Sequence, residues 1–180
     1  MKTLETERLT LRLWKETDID DLFEYASDVR VGPNAGWPPH ENIETSQRII
    51  DGFIKGNEVY AIVLKSENKV IGSLGIHDRK PDKSLEHLSQ REVGYVLNPN
   101  YWGKGLMPEA VKCVIKHCFE ELKLDLIWCG YFDFNENSKR VVEKCGFNYQ
   151  FTTNKKLSQL DNQETKMLHY NITKEVFLNR

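Results

Sequence analysis

The chain has no apolar run of membrane-spanning length, no Cys-x-x-Cys pair and no block of like charge, and each absence removes a class of function. A spanning helix needs about 20 consecutive apolar residues. Residues 1–13 alternate charged and apolar side chains, unlike the apolar region of a secretory signal, so a cytoplasmic protein without a membrane partner is expected. Cys113, Cys118, Cys129 and Cys145 lack paired spacing, and three of them lie in apolar runs, where a thiol acts as a small hydrophobe. His40, His77, His87, His117 and His169 are scattered, so the short ligand spacing of a zinc site is missing and no metal is expected. The 25 basic and 27 acidic residues are interspersed and leave a formal net charge of -2, which gives no sequence-wide attraction to nucleic acid.

What the 180 residues do hold is a 39% hydrophobic fraction, enough to bury one core of ordinary size, so residues 1–180 read as a single domain without internal repeat or linker. Residues 8–14 alternate, with Leu9, Leu11 and Leu13 on one side, as a half-buried strand requires. Thr17 heads a helix with acidic residues in its first turn and Ile19, Leu22, Phe23 and Ala26 as its stripe, ending at Gly32-Pro33. Residues 32–40 read as a rigid proline-rich loop. Asn42 then caps a second helix closed by a left-handed Gly56.

Residues 59–64 and 70–76 are β-branched runs joined by the polar turn 66–69, which predicts a hairpin. Residues 92–97 form the next strand, stopped by Pro99. Residues 106–122 carry the longest helical period, and residues 126–132 are nearly uninterruptedly apolar, as suits a strand buried on both faces. Strand, helix and strand here make a parallel crossover. Asn135 or Asn137 caps a shorter helix ended by Gly146, and residues 147–153 and 166–172 close the chain as antiparallel strands.

The sharpest local feature lies between the strand at 92–97 and the long helix: Asn98-Pro99-Asn100-Tyr101-Trp102-Gly103-Lys104-Gly105-Leu106-Met107-Pro108-Glu109. Two glycines let backbone approach a ligand closely, and the helix start offers unpaired N–H groups with a positive dipole end, which together suit a phosphate or pyrophosphate. The plain alternative is a glycine-bearing turn that only joins the two elements. GxxxxGK[ST] is absent, and Pro108 occupies the place of a third dinucleotide-fold glycine, so neither an NTPase nor an NAD enzyme is supported.

Residues 92–110 resemble the coenzyme A signature of the GNAT superfamily of N-acetyltransferases, in the form of its RimJ/RimL-like (ribosomal-protein alanine N-acetyltransferase) branch. Asn135-x-x-Ser138 followed by Val142-Glu143-Lys144-Cys145-Gly146-Phe147 is similar to the second family motif, and Thr6-Glu7-Arg8-Leu9-Thr10-Leu11-Arg12 to the branch's opening. The resemblance implies the GNAT α/β (α+β) fold: a twisted, mostly antiparallel mixed sheet with a central splayed parallel strand pair and helices on both faces. It implies acetyl-CoA as co-substrate, an amine acceptor that is a peptide N-terminus or a small molecule, and homodimers of the kind common in the branch.

Carried over residue by residue, the resemblance has Val96 and Leu97 facing pantetheine. Trp102, Gly103, Lys104, Gly105, Leu106 and Met107 hold the pyrophosphate, and Asn135 bonds the pantetheine arm. Met107 stands where many members have glycine or alanine, and Val142 where many have a tyrosine acid. Direct attack of an amine on the thioester needs a base, an oxyanion donor and an acid for the thiolate. Glu92 is the candidate base, acting through water, or else a paired strand carboxylate. Backbone N–H at Val96 or Leu97 is the oxyanion donor. Ser138 is the candidate acid, or else a helix cap, with Tyr131 in reserve. Trp37 and His40 line the amine side, or else Trp37 plugs the edge of the core. A second function class, a coenzyme A binding regulatory module without turnover, shares the cofactor site and differs only in chemistry.

Overall fold

Alternating and β-branched segments assemble into one open eight-stranded sheet in the order β1-β2-β3-β4-β5-β6-β8-β7. The structure is a computed structural model that describes residues 1–179. The strands are β1 (Leu4–Glu5), β2 (Leu9–Arg12), β3 (Val59–Leu64), β4 (Lys69–His77), β5 (Gln90–Leu97), β6 (Leu126–Phe132), β7 (Asn148–Leu157) and β8 (Gln163–Thr173). The helices are α1 (Ile19–Ala26), α2 (Gly32–Ala35), α3 (Ile43–Gly56), α4 (Leu106–Glu120), α5 (Glu136–Cys145) and α6 (Lys174–Leu178). Every adjacent pair of strands is antiparallel except β5 and β6. This is the GNAT fold that the signature implies.

Helices cover both faces because the strands alternate. Leu9, Leu11, Ile62 and Ile127 pack with Ala110, Val114 and Cys118 of α4 and Val142 of α5 in one buried cluster. Ala61, Val63 and Val70 pack with Leu22, Tyr25 and Ile50 of α1 and α3 in the other. Removing such side chains from water at about 25 cal/mol per Å² is the main favourable contribution to folding.

Four expectations need correction. The first strand shortens to Leu9–Arg12 and gains a two-residue partner, Leu4–Glu5, because Trp14 leaves the sheet for the second core cluster. Thr17 does not cap α1: a 3-10 turn at Glu16–Asp18 precedes it, and the Asp18 carboxylate accepts from the Lys15 amide at 2.8 Å. That helix stops at Ala26, and residues 32–35 form the short α2, with Pro33 in its first turn, where a missing N–H is not lost. Gly56 stays helical and Asn57 takes the left-handed φ of 53°, its N–H donating to the Phe53 carbonyl.

The site is positioned by what happens between β5 and β6. They pair in parallel from Gln90↔Leu126 to Val93↔Cys129 and then part. Beyond that point Gly94 to Leu97 remain paired to β4, and Gly130 to Phe132 to β8. The two halves of the sheet diverge and leave a wedge between them. Among the described residues, no helix is long and apolar enough to cross a membrane.

Candidate active site

A cleft of about 320 Å³ opens in that wedge. One wall is Tyr95, Val96 and Leu97 of β5, and another is Asn135, Ser138 and Arg140 of α5. Its end is the loop carrying Trp102, Gly103 and Gly105 with the first turn of α4. Gly103 and Gly105 have φ of 76° and 75°, a conformation costing an L-residue roughly 1–2 kcal/mol. A Cβ on Gly103 would meet no atom within 4 Å, so the backbone there borders open space. α4 starts directly after Gly105, so its unpaired amides and positive dipole end face the cleft.

Three side chains around the loop are engaged elsewhere. Met107 is only 4% exposed and packs in the core, which is how a methionine fits where glycine or alanine is commoner. Trp102 donates its Nε1–H to the Leu97 carbonyl at 2.8 Å, bracing the loop against β5. Lys104 does not reach into the cleft: its Nζ lies 4.9 Å from the centre of the Tyr101 ring.

On α5, Asn135 is the cap. Its Oδ1 accepts from the Ser138 amide at 3.0 Å, and its Nδ2 donates to the Asn34 carbonyl at 3.0 Å, tying α2 to the opposite wall. Ser138 is thereby not the capping side chain. Its Oγ lies 3.0 Å from the Tyr95 hydroxyl, which is also 3.3 Å from the Ser138 carbonyl. Burial raises the Tyr95 phenol well above its ordinary pKa, so it stays protonated. Sequence reading did not assign Tyr95 to the site; its place two residues before Leu97 on an alternating strand was the available signal.

Besides Lys104, the expected residues Glu92, Trp37 and His40 and the reserve Tyr131 lie outside the cleft lining. Glu92 sits one residue before the last β5–β6 pair, level with His77 and Trp128; it is buried, with Arg79 Nη1 3.4 Å from its Oε2. Trp37 packs on the second core cluster, its ring 5.4 Å from that of His40. His40 Nδ1 is 2.8 Å from Ser46 Oγ, and burial lowers its pKa. The proline-rich segment borders the cleft through Asn34 and Ala35 instead, with Arg30 just before it. Tyr131, the reserve acid, is bonded to Tyr170 at 3.1 Å between hydroxyls.

Arg30, Arg140 and Lys144 give the cleft a cationic rim, which suits a polyanion. Apolar β5 side chains, left-handed glycines, helix amides, this rim and a protonated hydroxyl pair together suit an elongated ligand with an anionic end. Among the described residues, no group of three or more His, Cys, Asp or Glu side chains is placed to hold a metal ion.

A family model described as an acetyltransferase (GNAT) domain matches residues 8–148. The chain is 34% identical over 152 residues, 82% of its length and 83% of the relative's, to a protein named uncharacterized N-acetyltransferase p20 from Bacillus licheniformis. Among solved structures it matches an acetyltransferase (GNAT family) from Bacillus anthracis with a TM-score of 0.85 and 26% identity, covering 97% of this chain and 99% of that one. It also matches ribosomal-protein-S5-alanine acetyltransferase from Vibrio fischeri with a TM-score of 0.73 and 24% identity, covering 97% and 98%, a likeness of fold alone. Sheet order, splayed strand pair and glycine loop agree with these relationships, and the chain belongs to the GNAT family of acetyl-CoA-dependent acetyltransferases.

Proposed function

We propose that the chain acetylates a primary amine, a protein N-terminal amine or a small-molecule amine, by direct attack on acetyl-CoA, as an enzyme of the RimJ/RimL-like branch. The observation that carries this reading is the hydroxyl pair of Tyr95 and Ser138 in a cleft whose other end holds the glycine loop. Acetyl-CoA supplies an activated thioester, so the protein has three tasks: to accept a proton from the ammonium, to hold the developing oxyanion and to protonate the departing sulfur.

In this reading the amides of residues 102–107 and the helix start hold the pyrophosphate, and Arg140 and Lys144 add charge at the rim. Asn135, Val96 and Leu97 align the pantetheine arm. An N–H of Val96 or Leu97 is the oxyanion donor; being fixed by the strand, it needs no reorganisation. Ser138 gives its proton to sulfur as the C–N bond forms and the C–S bond breaks, and Tyr95, held protonated by burial, steadies the Ser138 oxygen. Glu92 takes the ammonium proton through water from the opposite face of β5. Trp37 and His40 shape the amine side from behind α2.

Arg30 also lines the mouth, with its charge compensated by Asp28 at 2.6 Å. The test is thiol release from acetyl-CoA against N-terminal peptides, polyamines and aminoglycosides, with and without Glu92→Gln. Turnover with at least one amine, reduced by the substitution, is expected. Binding of coenzyme A without release from any member of the panel would instead support a regulatory module, and release untouched by Glu92→Gln would remove Glu92 from the mechanism.

A further inference from the structure

Besides the Trp102 brace, the glycine loop is held by a strap from the turn between the chain's first two strands. Residues 6–9 fold into a tight turn: the Thr6 amide donates to the Leu9 carbonyl at 2.9 Å, and the Leu9 amide to Thr6 Oγ1 at 2.9 Å. The turn is pinned on one side by Lys65, whose amide donates to the Arg8 carbonyl at 3.0 Å and whose Nζ donates to the Thr6 carbonyl at 2.6 Å. On the other side it meets Glu109 in the first turn of α4. Thr6 Oγ1 donates to Oε1 at 2.5 Å, the Arg8 amide to Oε1 at 3.0 Å, and Arg8 Nε to Oε2 at 2.7 Å, with Nη2 2.6 Å from the same oxygen.

Both Glu109 oxygens are thus saturated by four donors, and the guanidinium is held side-on with one nitrogen left over. That nitrogen, Nη1, donates to the Lys104 carbonyl at 3.0 Å. Lys104 lies between the two left-handed glycines, where the backbone has the least steric restraint of its own. In a planar trans peptide the carbonyl and the following N–H point in opposite directions, and no peptide bond here is cis. Fixing the Lys104 carbonyl toward Arg8 therefore turns the Gly105 N–H the other way, and Gly105 lines the cleft.

We infer that Arg8, held by Glu109, is a positioning residue that sets the Lys104–Gly105 peptide plane and so aims a phosphate-binding amide. This rests on the cleft being the coenzyme A site. The role differs from charge attraction, because Arg8 is outside the cleft lining and its guanidinium is paired with Glu109. It also differs from general stabilisation, because only the phosphate end of a ligand would feel the rotated peptide.

The test is calorimetric titration of wild type, Arg8→Ala and Glu109→Gln with coenzyme A and, separately, with pantetheine, which lacks the phosphates. Circular dichroism checks folding. Arg8→Ala should weaken coenzyme A by about tenfold, as losing one charge-assisted hydrogen bond implies, and leave pantetheine unchanged; Glu109→Gln should act in the same direction. In acetyl transfer the KM for acetyl-CoA should rise while kcat holds. If Arg8→Ala does not fold, Glu109→Gln decides the matter by the same two ligands. Unchanged coenzyme A affinity, or an equal loss for both ligands, overturns the inference while leaving the cleft assignment intact. A wild-type protein indifferent to coenzyme A overturns that assignment and the inference with it.

Discussion

The Tyr95 hydroxyl on β5 stands 3.0 Å from Ser138 Oγ and 3.3 Å from the Ser138 carbonyl on α5, so Tyr95 joins the two walls of the cleft. Because Asn135 caps α5, the Ser138 hydroxyl is not used up in the helix end. Ser138→Ala is expected to lower kcat by about a hundredfold, within the range of general acid catalysis, with KM for acetyl-CoA little changed. Tyr95→Phe should lower kcat less. Steady-state kinetics on both variants checks this, and a Ser138→Ala enzyme at full speed would leave the hydroxyl pair a packing feature.

Two glycine substitutions should move stability in opposite directions. Gly105 has φ of 75° and its added Cβ meets only Arg8 Nη2 at 3.7 Å, so Gly105→Ala is penalised through the backbone, by about 1–2 kcal/mol. Gly52 lies inside α3 with nothing within 4 Å of an added Cβ, so Gly52→Ala should stabilise by about 0.5–1 kcal/mol through helix propensity and unfolded-chain entropy. Urea midpoints of the two variants read out both signs.

Arg12 and Asp18 form a two-pronged pair, Nη1–Oδ2 at 2.7 Å and Nη2–Oδ1 at 2.8 Å, with side chains 20% and 7% exposed. Asp18→Ala strands the guanidinium and frees the Lys15 amide, so a loss of about 3 kcal/mol is expected. An equilibrium unfolding curve within 1 kcal/mol of wild type, on the order of an exposed ion pair, would contradict this.

Stability should fall on mild acidification. Burial lowers the pKa of His40, His77 and His169, with Arg79 adding to the effect at His77 and Lys155 at His169, while Glu92 opposes at both and Glu58 at His77. The unfolded chain then binds more protons than the folded one just below the free histidine value of about 6.5. The contribution is fully present above that value and is lost as pH falls through it toward the folded pKa. The lowered carboxylates, Glu24 and Glu109 among them, act only below their ordinary value of 4.5. The urea midpoint should therefore be lower at pH 5.5 than at 7.5, and His169→Gln should shrink the difference; a flat profile would refute the prediction.

Some elements could be read directly because their information is local. The strands at Val59–Leu64 and Leu126–Phe132 match their apolar runs residue for residue, and α4 follows its period to within two residues of the expected end. The glycines at 103 and 105 were legible because a left-handed backbone excludes most other residues. The two-residue β1, the handover from Gly56 to Asn57 at the end of α3, and α6 were not, since each has a partner brought in by folding: β2, the Met1 amine on Asn57 Oδ1, and Phe119 stacked on Phe177. Trp37 read from its place in the proline-rich loop either as a pocket residue or as a plug at the edge of the core. A Cβ on Gly32 would lie 2.6 Å from its ring, and that close packing holds the indole against the second core.

The amino-acid order by itself determined the alternation and periodicity that choose strand or helix, and the glycine spacing that permits a left-handed loop. Only the tertiary structure decided where β5 and β6 part, that Tyr95 meets Ser138 across 43 residues, and that Arg8 grips the Lys104 carbonyl across 96. The reason is physical: backbone preference and hydrophobic period act over a few neighbouring residues, whereas a hydrogen bond between distant segments exists only once the packed core has fixed both of its ends.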